Sequence, residues 1–214
     1  MFIIGITGGT GAGKTTALRA LEALGVYVID CDAVYHELLA DSDELKAELG
    51  ARFGGVLRGG DIDRKRLGET VFGDPGALSD LNAITHKYIG PEIERRLSEW
   101  SSRGGAAAAL DAIALIESGR YKKCDAVFGV VAPAEVRISR IMSRDGITRK
   151  QAEMRINAQQ PESFYRENCD HILDNQHGTP EEFEKNCKEI FMQLIGGCNN
   201  AGQRRTVLQK EERV

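Results

Sequence analysis

The apolar run Phe2-Ile3-Ile4-Gly5-Ile6-Thr7 breaks directly into Gly8-Gly9-Thr10-Gly11-Ala12-Gly13-Lys14-Thr15, and a segment with helical periodicity follows. No other stretch constrains the fold so tightly. A short run with almost no polar alternation, bounded by glycines, predicts a strand buried on both faces, as in parallel sheets. Residues 14–24 place Ala17, Leu18, Leu21 and Leu24 on one helical face, and Gly25 stands where a C-terminal cap falls. Val26 to Ile29 reads as a second strand that ends at Asp30-Cys31-Asp32. Strand, glycine loop, helix and strand in this order predict an α/β architecture on a parallel sheet.

The loop has the pattern G-x-x-x-x-G-K-[ST], in the strand-to-helix context that gives the pattern its meaning. Glycines let the backbone wrap closely around phosphate oxygens, and the following helix adds its free N–H groups and dipole. Gly8, Gly9, Thr10, Gly11, Ala12 and Gly13 are therefore candidate phosphate ligands. Lys14 is expected to bridge the β- and γ-phosphates, Thr15 to hold Mg²⁺ through its hydroxyl, and Thr16 to reach the α-phosphate. The motif specifies a nucleoside triphosphate and is silent on the acceptor.

Beyond residue 33 the pattern changes to helices and polar loops. Helical spacing is expected over 41–53, 63–72 and roughly 76–100, with Leu78, Leu81, Ile84, Ile89, Ile93 and Leu97 on the apolar face of the last. Pro91 marks a kink or the start of a new helix. Phe53 to Asp63 reads as a glycine-rich connection. A third strand is expected at 106–111, with helix as the competing assignment because of its alanines, and a fourth at Ala126–Val131. A helix then runs from Pro133 toward Arg144, followed by a polar stretch with no core face. His171-Ile172-Leu173 is a last strand, 180–195 a closing helix, and the remainder a polar tail.

A net charge of −4 gives no footprint for nucleic acid or an anionic membrane, so an anionic ligand needs a local basic site. The five cysteines show no CxxC pair and read as free thiols. The start of the chain does not resemble a signal peptide, and no run of 18 apolar residues occurs, which predicts a cytoplasmic protein.

Several polar residues fit phosphoryl transfer, each with a plainer role beside it. Asp30 and Asp32 follow the second strand, where a carboxylate can take a proton from an attacking hydroxyl or hold Mg²⁺; either could instead cap the next helix. Asp111 ends the third strand and is a water-mediated Mg²⁺ ligand or a turn residue. Arg140 and Arg144, four apart, project from one side of a helix and suit phosphate oxygens, or belong to a solvated face. Asn175 approaches the adenine or caps a loop.

GITGGTGAGKTT followed by Asp-x-Asp resembles dephospho-CoA kinase, and the likeness extends through most of the chain. FGGVLRGGDIDRKRLGETVF is similar to that family's glycine-rich stretch and arginine helix, and LNAITHKYI to its L-x-x-I-x-H-P-x-I segment. YKKCDAVFGVVAPAEVRISRIMSRDGITRKQAEMRINAQ resembles its fourth strand and lid, including R-x-x-x-R-D and R-x-x-x-Q, and CDHILDN its closing strand. The resemblance implies a three-layer P-loop NTPase fold with a parallel sheet of about five strands, a helical substrate-binding insertion and a helical lid. The expected division is core 1–35, insertion 36–104, core 105–135, lid 136–167, core 168–197 and tail 198–214.

The reaction implied is transfer of the γ-phosphoryl of ATP, with Mg²⁺, to the ribose 3′-hydroxyl of dephospho-CoA. Asp32 would then orient and deprotonate the hydroxyl, and Asp30 would support Mg²⁺ or the loop. Arg64, His86 and Glu117 would lie toward the acceptor, and Lys14, Arg140 and Arg144 would stabilise the transferring group. The chain departs from the family at Ile113-Ala114-Leu115-Ile116-Glu117, where Pro-Leu-Leu-Phe-Glu is usual, and at Lys87, where a proline follows the histidine. Both departures fall in the acceptor region. No nucleic-acid or membrane partner is expected, and the chain reads as a monomer or weak homo-oligomer. Another small-molecule, nucleoside or nucleotide kinase, or a non-catalytic nucleotide-binding regulator, are the competing readings.

Overall fold

In the computed structural model the opening apolar run forms β1 (Phe2–Gly8), and the helix after the loop is α1 (Lys14–Glu22). The structure describes residues 1–176 and 178–201, with side chains through residue 196. The chain divides into two units, one of residues 1–28 with 105 onward, the other Ile29–Gly104. The second begins before the expected residue 36, because the helix after Asp30 shares the apolar cluster of the helices that follow it.

In the first unit, β2 (Tyr27–Asp30) starts where the unit breaks off, β5 (Ala107–Asp111) opens its return and β6 (Ala126–Val131) and β7 (His171–Asp174) follow. Their order is β2-β5-β1-β6-β7, and β1 pairs in parallel with both β5 and β6. The alanine-rich segment is thus a strand, with Ala109 opposite Ile4 and Asp111 opposite Ile6. One face of the sheet carries Ile4, Ile6, Ala107, Ala109, Phe128 and Val130 against α1 and α9 (Pro180–Ala201). Phe128 meets the Phe191 ring edge-on at 5.1 Å. The opposite face receives Leu115 and Tyr165, completing a three-layer α/β fold. Three helices occupy the polar stretch and its approach: α6 (Ala134–Asp145), α7 (Arg149–Asn157) and α8 (Glu162–Asn168). Contrary to the expectation of no core face there, Ile138, Ile141 and Ala152 form a small apolar cluster with Met142, Ile147 and Ile156. The closing helix runs to Ala201, past the expected 195, and the rest of the expected tail lies outside the described residues.

The second unit contains α2 (Cys31–Asp41), α3 (Asp43–Phe53), α4 (Arg64–Val71) and α5 (Pro75–Ser102). The glycine-rich connection is a β-hairpin, β3 (Leu57–Arg58) with β4 (Asp61–Ile62), turned by Gly59 and Gly60 at φ 60° and 96°. Two successive positive φ values define the tight turn that matches strand twist, which is why glycine fills both positions. The helix through Pro91 is one continuous element of 28 residues, not two. Pro91 faces solvent, where water can satisfy the carbonyl that loses its partner. Its inner face is Ala77, Ile84, Ile89, Ile93 and Leu97; Leu78, expected there, is 40% exposed because the face is set one residue earlier.

Candidate active site

The carboxyl ends of β1, β5, β6 and β7 in the first unit carry the glycine loop, Asp111, the start of α6 and Asn175. In open parallel sheets this edge, beside the strand where the order reverses, is where ligands bind. Gly13 caps α1 at φ 107°, and a Cβ there would fall 2.2 Å from Nδ2 of Asn175. Only glycine permits that close approach. No side chain caps α1, so its first N–H groups remain available to an anion.

Thr10, Gly11, Ala12 and Lys14 are each held by a named partner. The Lys14 ammonium is paired with the Asp111 carboxylate, which is itself buried. Asn175, 4% exposed, donates from Nδ2 to the Ala12 carbonyl at 2.8 Å and accepts from Nη2 of Arg140 at 3.1 Å. Arg140 also donates to the carbonyls of Gly11 and Ala12, at 3.3 and 3.4 Å. Arg137 donates from Nε to the Thr10 carbonyl at 2.9 Å, and Gln159 accepts from the Thr10 N–H at 2.8 Å. Burial holds both Arg137 and Arg140 below the ordinary arginine range. Thr15 is exposed on the first turn of α1, and Thr16 accepts from Arg19 at 3.4 Å.

The arginines divide differently from the i, i+4 reading. Arg140 lies on the loop, but its companion there is Arg137; Arg144 is exposed and gripped by Asp145, at 2.7 and 3.0 Å. Arg155 binds the same aspartate. Asn175 is turned inward to the loop backbone. Glu117 is exposed and lines a cavity of about 300 Å³ with Ile113, Ala158, Gln159, Gln160 and Tyr165. Burial raises the Tyr165 hydroxyl, helped by the charge of Glu117.

In the second unit, Asp30 is the cap of α2: one of its oxygens accepts from the N–H groups of Asp32 and Ala33, both at 2.9 Å. Asp32 sits in the first turn, exposed, and its carboxylate has no side-chain partner among the described residues. Capping therefore accounts for Asp30 and leaves Asp32 available for chemistry. Arg64 is exposed, with Nη2 3.1 Å from Nε2 of His36, a histidine to which the sequence assigns no role. His86 is exposed. Its neighbour Lys87 is engaged by Glu48, which also accepts from the Tyr88 hydroxyl at 2.9 Å; these bonds, Lys87 first, hold Glu48 below the usual carboxylate range.

The dephospho-CoA kinase family model matches residues 2–181. A dephospho-CoA kinase of Geobacter sulfurreducens is 40% identical over 193 residues, covering 89% of this chain and 98% of its own length. The chain belongs to the dephospho-CoA kinase family. Among solved structures it is similar to the Thermus thermophilus protein TT1252, with 34% identity and a TM-score of 0.74 over 90% of this chain and 97% of that one. The dephospho-CoA kinase of Campylobacter jejuni gives 26% and 0.67 over 92% and 98%. Within this family member, sequence reasoning passed over Arg137 and Gln159. The only signal for them was the repeated arginine of α6 and the R-x-x-x-Q pattern, both of which read equally as a charged surface.

Among the described residues no helix is long and apolar enough to cross a membrane. Nor does any cluster of three His, Cys, Asp or Glu suited to a metal ion occur there. Mg²⁺ keeps several waters and takes most of its other ligands from substrate phosphates, so an exposed hydroxyl such as that of Thr15 and a carboxylate such as that of Asp111 are donors of a type that suits it.

Proposed function

We propose that this protein transfers the γ-phosphoryl group of ATP to the ribose 3′-hydroxyl of dephospho-CoA, giving coenzyme A and ADP, the last step of coenzyme A synthesis. The observation that carries the reading is a fully assembled phosphate loop in a chain matched by the dephospho-CoA kinase model over residues 2–181. Loop amides from Gly8 to Gly13 and the N-terminus of α1 bind the phosphates, with Lys14 exchanging Asp111 for the β- and γ-phosphate oxygens. Arg140, at the start of the lid (residues 136–167), draws charge from the transferring group, and Arg144 joins it by exchanging Asp145 for phosphate oxygens. Thr15, and Asp111 through water, would hold Mg²⁺, which shields phosphate charge when bound.

Asp32 is the base. The 3′-oxygen attacks the γ-phosphorus in line, the bond to the β–γ bridging oxygen breaks, and the hydroxyl proton passes to the Asp32 carboxylate. That its carboxylate has no side-chain partner among the described residues supports this assignment. Asp30 fixes the first turn that presents it. Arg64, His86 and Glu117 contribute to acceptor binding, Lys87 being occupied by Glu48. The protein works in the cytoplasm.

Purified protein with ATP, Mg²⁺ and a panel of acceptors, followed by ADP release and product mass, tests the reading. Dephospho-CoA should gain one phosphate at the 3′ position. Turnover confined to a nucleotide, nucleoside or other alcohol would refute it.

A further inference from the structure

Arg137 belongs by sequence to a polar helix face, yet it is only 7% exposed. Its bonds go to neutral oxygens alone: Nε to the Thr10 carbonyl and Nη2 to Oε1 of Gln159, both at 2.9 Å. The same Oε1 accepts from the Thr10 N–H at 2.8 Å. Three groups thus close a ring around one residue of the phosphate loop. The loop backbone rests on the guanidinium, since a Cβ at Gly9 would fall 2.4 Å from Nη2.

Among the described residues no carboxylate forms an ion pair with Arg137. Glu162 acts on it only through its field, being bonded to Arg166 at 2.8 Å. Arg140 repeats the pattern, with carbonyls and an amide oxygen as its partners. Lys14 differs, because Asp111 compensates it. Oε1 is the acceptor in both bonds of Gln159, so a carboxylate would satisfy the same geometry and pair with the arginine as well. A neutral amide stands there instead. A buried charge among neutral groups is costly, and its retention against a phosphate loop points to an anionic ligand as the missing partner.

We propose that Arg137 is a fixed positive charge beneath the loop that attracts the nucleotide's polyphosphate, and that Gln159 is the positioning residue that holds it without cancelling it. This rests on ATP being the ligand of the loop. It adds an electrostatic element that acts through the loop backbone, apart from the groups that touch the transferring phosphate.

The test is calorimetric titration of the full-length protein with ATP, ADP and AMP at low and high salt, alongside melting curves. Gln159→Glu keeps the acceptor oxygen, so its melting temperature should equal or exceed that of the wild type. Its affinity for ATP should nevertheless fall about tenfold, as expected for cancelling one charge near a polyanion at a partly solvated site. The loss should be smaller for ADP, smallest for AMP, and reduced at high salt. Arg137→Gln should give the same ordering without adding an acid, which keeps the test decisive if the glutamate variant fails to fold. A purely structural tie would leave Gln159→Glu binding ATP like the wild type, and that result would overturn the proposal. So would an equal loss for ATP and AMP. Failure of the wild type to bind ATP would instead overturn the nucleotide reading, and this inference with it.

Discussion

The phosphate loop and the α2–α5 unit hold their charged groups in opposite ways. Around the loop, Asn175 and Arg137 are buried and bonded to backbone, with Gln159 and Arg140 beside them. In the helical unit the charged groups pair with one another at the surface, as Arg52 does with Asp80 at 2.7 Å and Lys87 with Glu48. Exposed pairs of that kind contribute little and rearrange readily, roughly 0–1 kcal/mol. Around the loop the bonds are buried and reach the backbone, whereas in the helical unit they are exposed and join side chain to side chain, so the two regions should respond differently to substitution.

The largest expected effect is at the loop. Lys14→Ala removes the cation paired with the buried Asp111 and, in the proposed reaction, the one that meets the β- and γ-phosphates. Steady-state kinetics should show a loss on the order of 10²–10³-fold in kcat/KM. A small loss would break the comparison, because the loop would then not depend on its one compensated cation. Asn175→Ala comes next. It deprives the Ala12 carbonyl and Arg140 of a shared buried partner and should cost about 1–3 kcal/mol in denaturant titrations, with a raised KM for ATP.

These two residues also mark how far the sequence could be read. The strand, loop and first helix were legible because their signals are local: an apolar run, glycines and helical spacing. Asn175 was visible as a polar residue after a strand, but its inward turn depends on Ala12, at the other end of the chain. Arg137 was illegible for the same reason, since its partner Thr10 is 127 residues away and helical periodicity places it among charged neighbours. Asp30 and Asp32 could not be separated by sequence, as either suits a helix start; the bonds to Asp32 and Ala33 assign the cap. The hairpin at 57–62 escaped because strands of two residues carry no periodicity, leaving only its paired glycines as a sign.

Smaller effects sharpen the other half of the comparison. Glu92 bonds Arg95 and Arg96, which bring its pKa from 4.5 to about 2. Its folded-state value lies below the unfolded one, so its contribution is whole above pH 4.5 and is lost as the pH falls toward 2. Denaturant midpoints for the wild type and Glu92→Gln should therefore converge as pH drops through that window; a constant gap would mean the charge is not responsible. Lys87→Met should do least, with no resolvable change in melting temperature and with kinetics for ATP and dephospho-CoA close to those of the wild type, since Glu48 occupies the lysine. A large loss of stability would show that surface pairs fix this unit as firmly as buried bonds fix the loop.

The proposed transfer depends most on the Asp32 carboxylate in the first turn of α2. Single-turnover transfer by Asp32→Asn, with ATP affinity measured on the same sample, tests it directly. Transfer should slow on the order of 10²–10⁴-fold while ATP binds as in the wild type. A variant that transfers phosphate at close to the wild-type rate would contradict the assignment of Asp32 as the base.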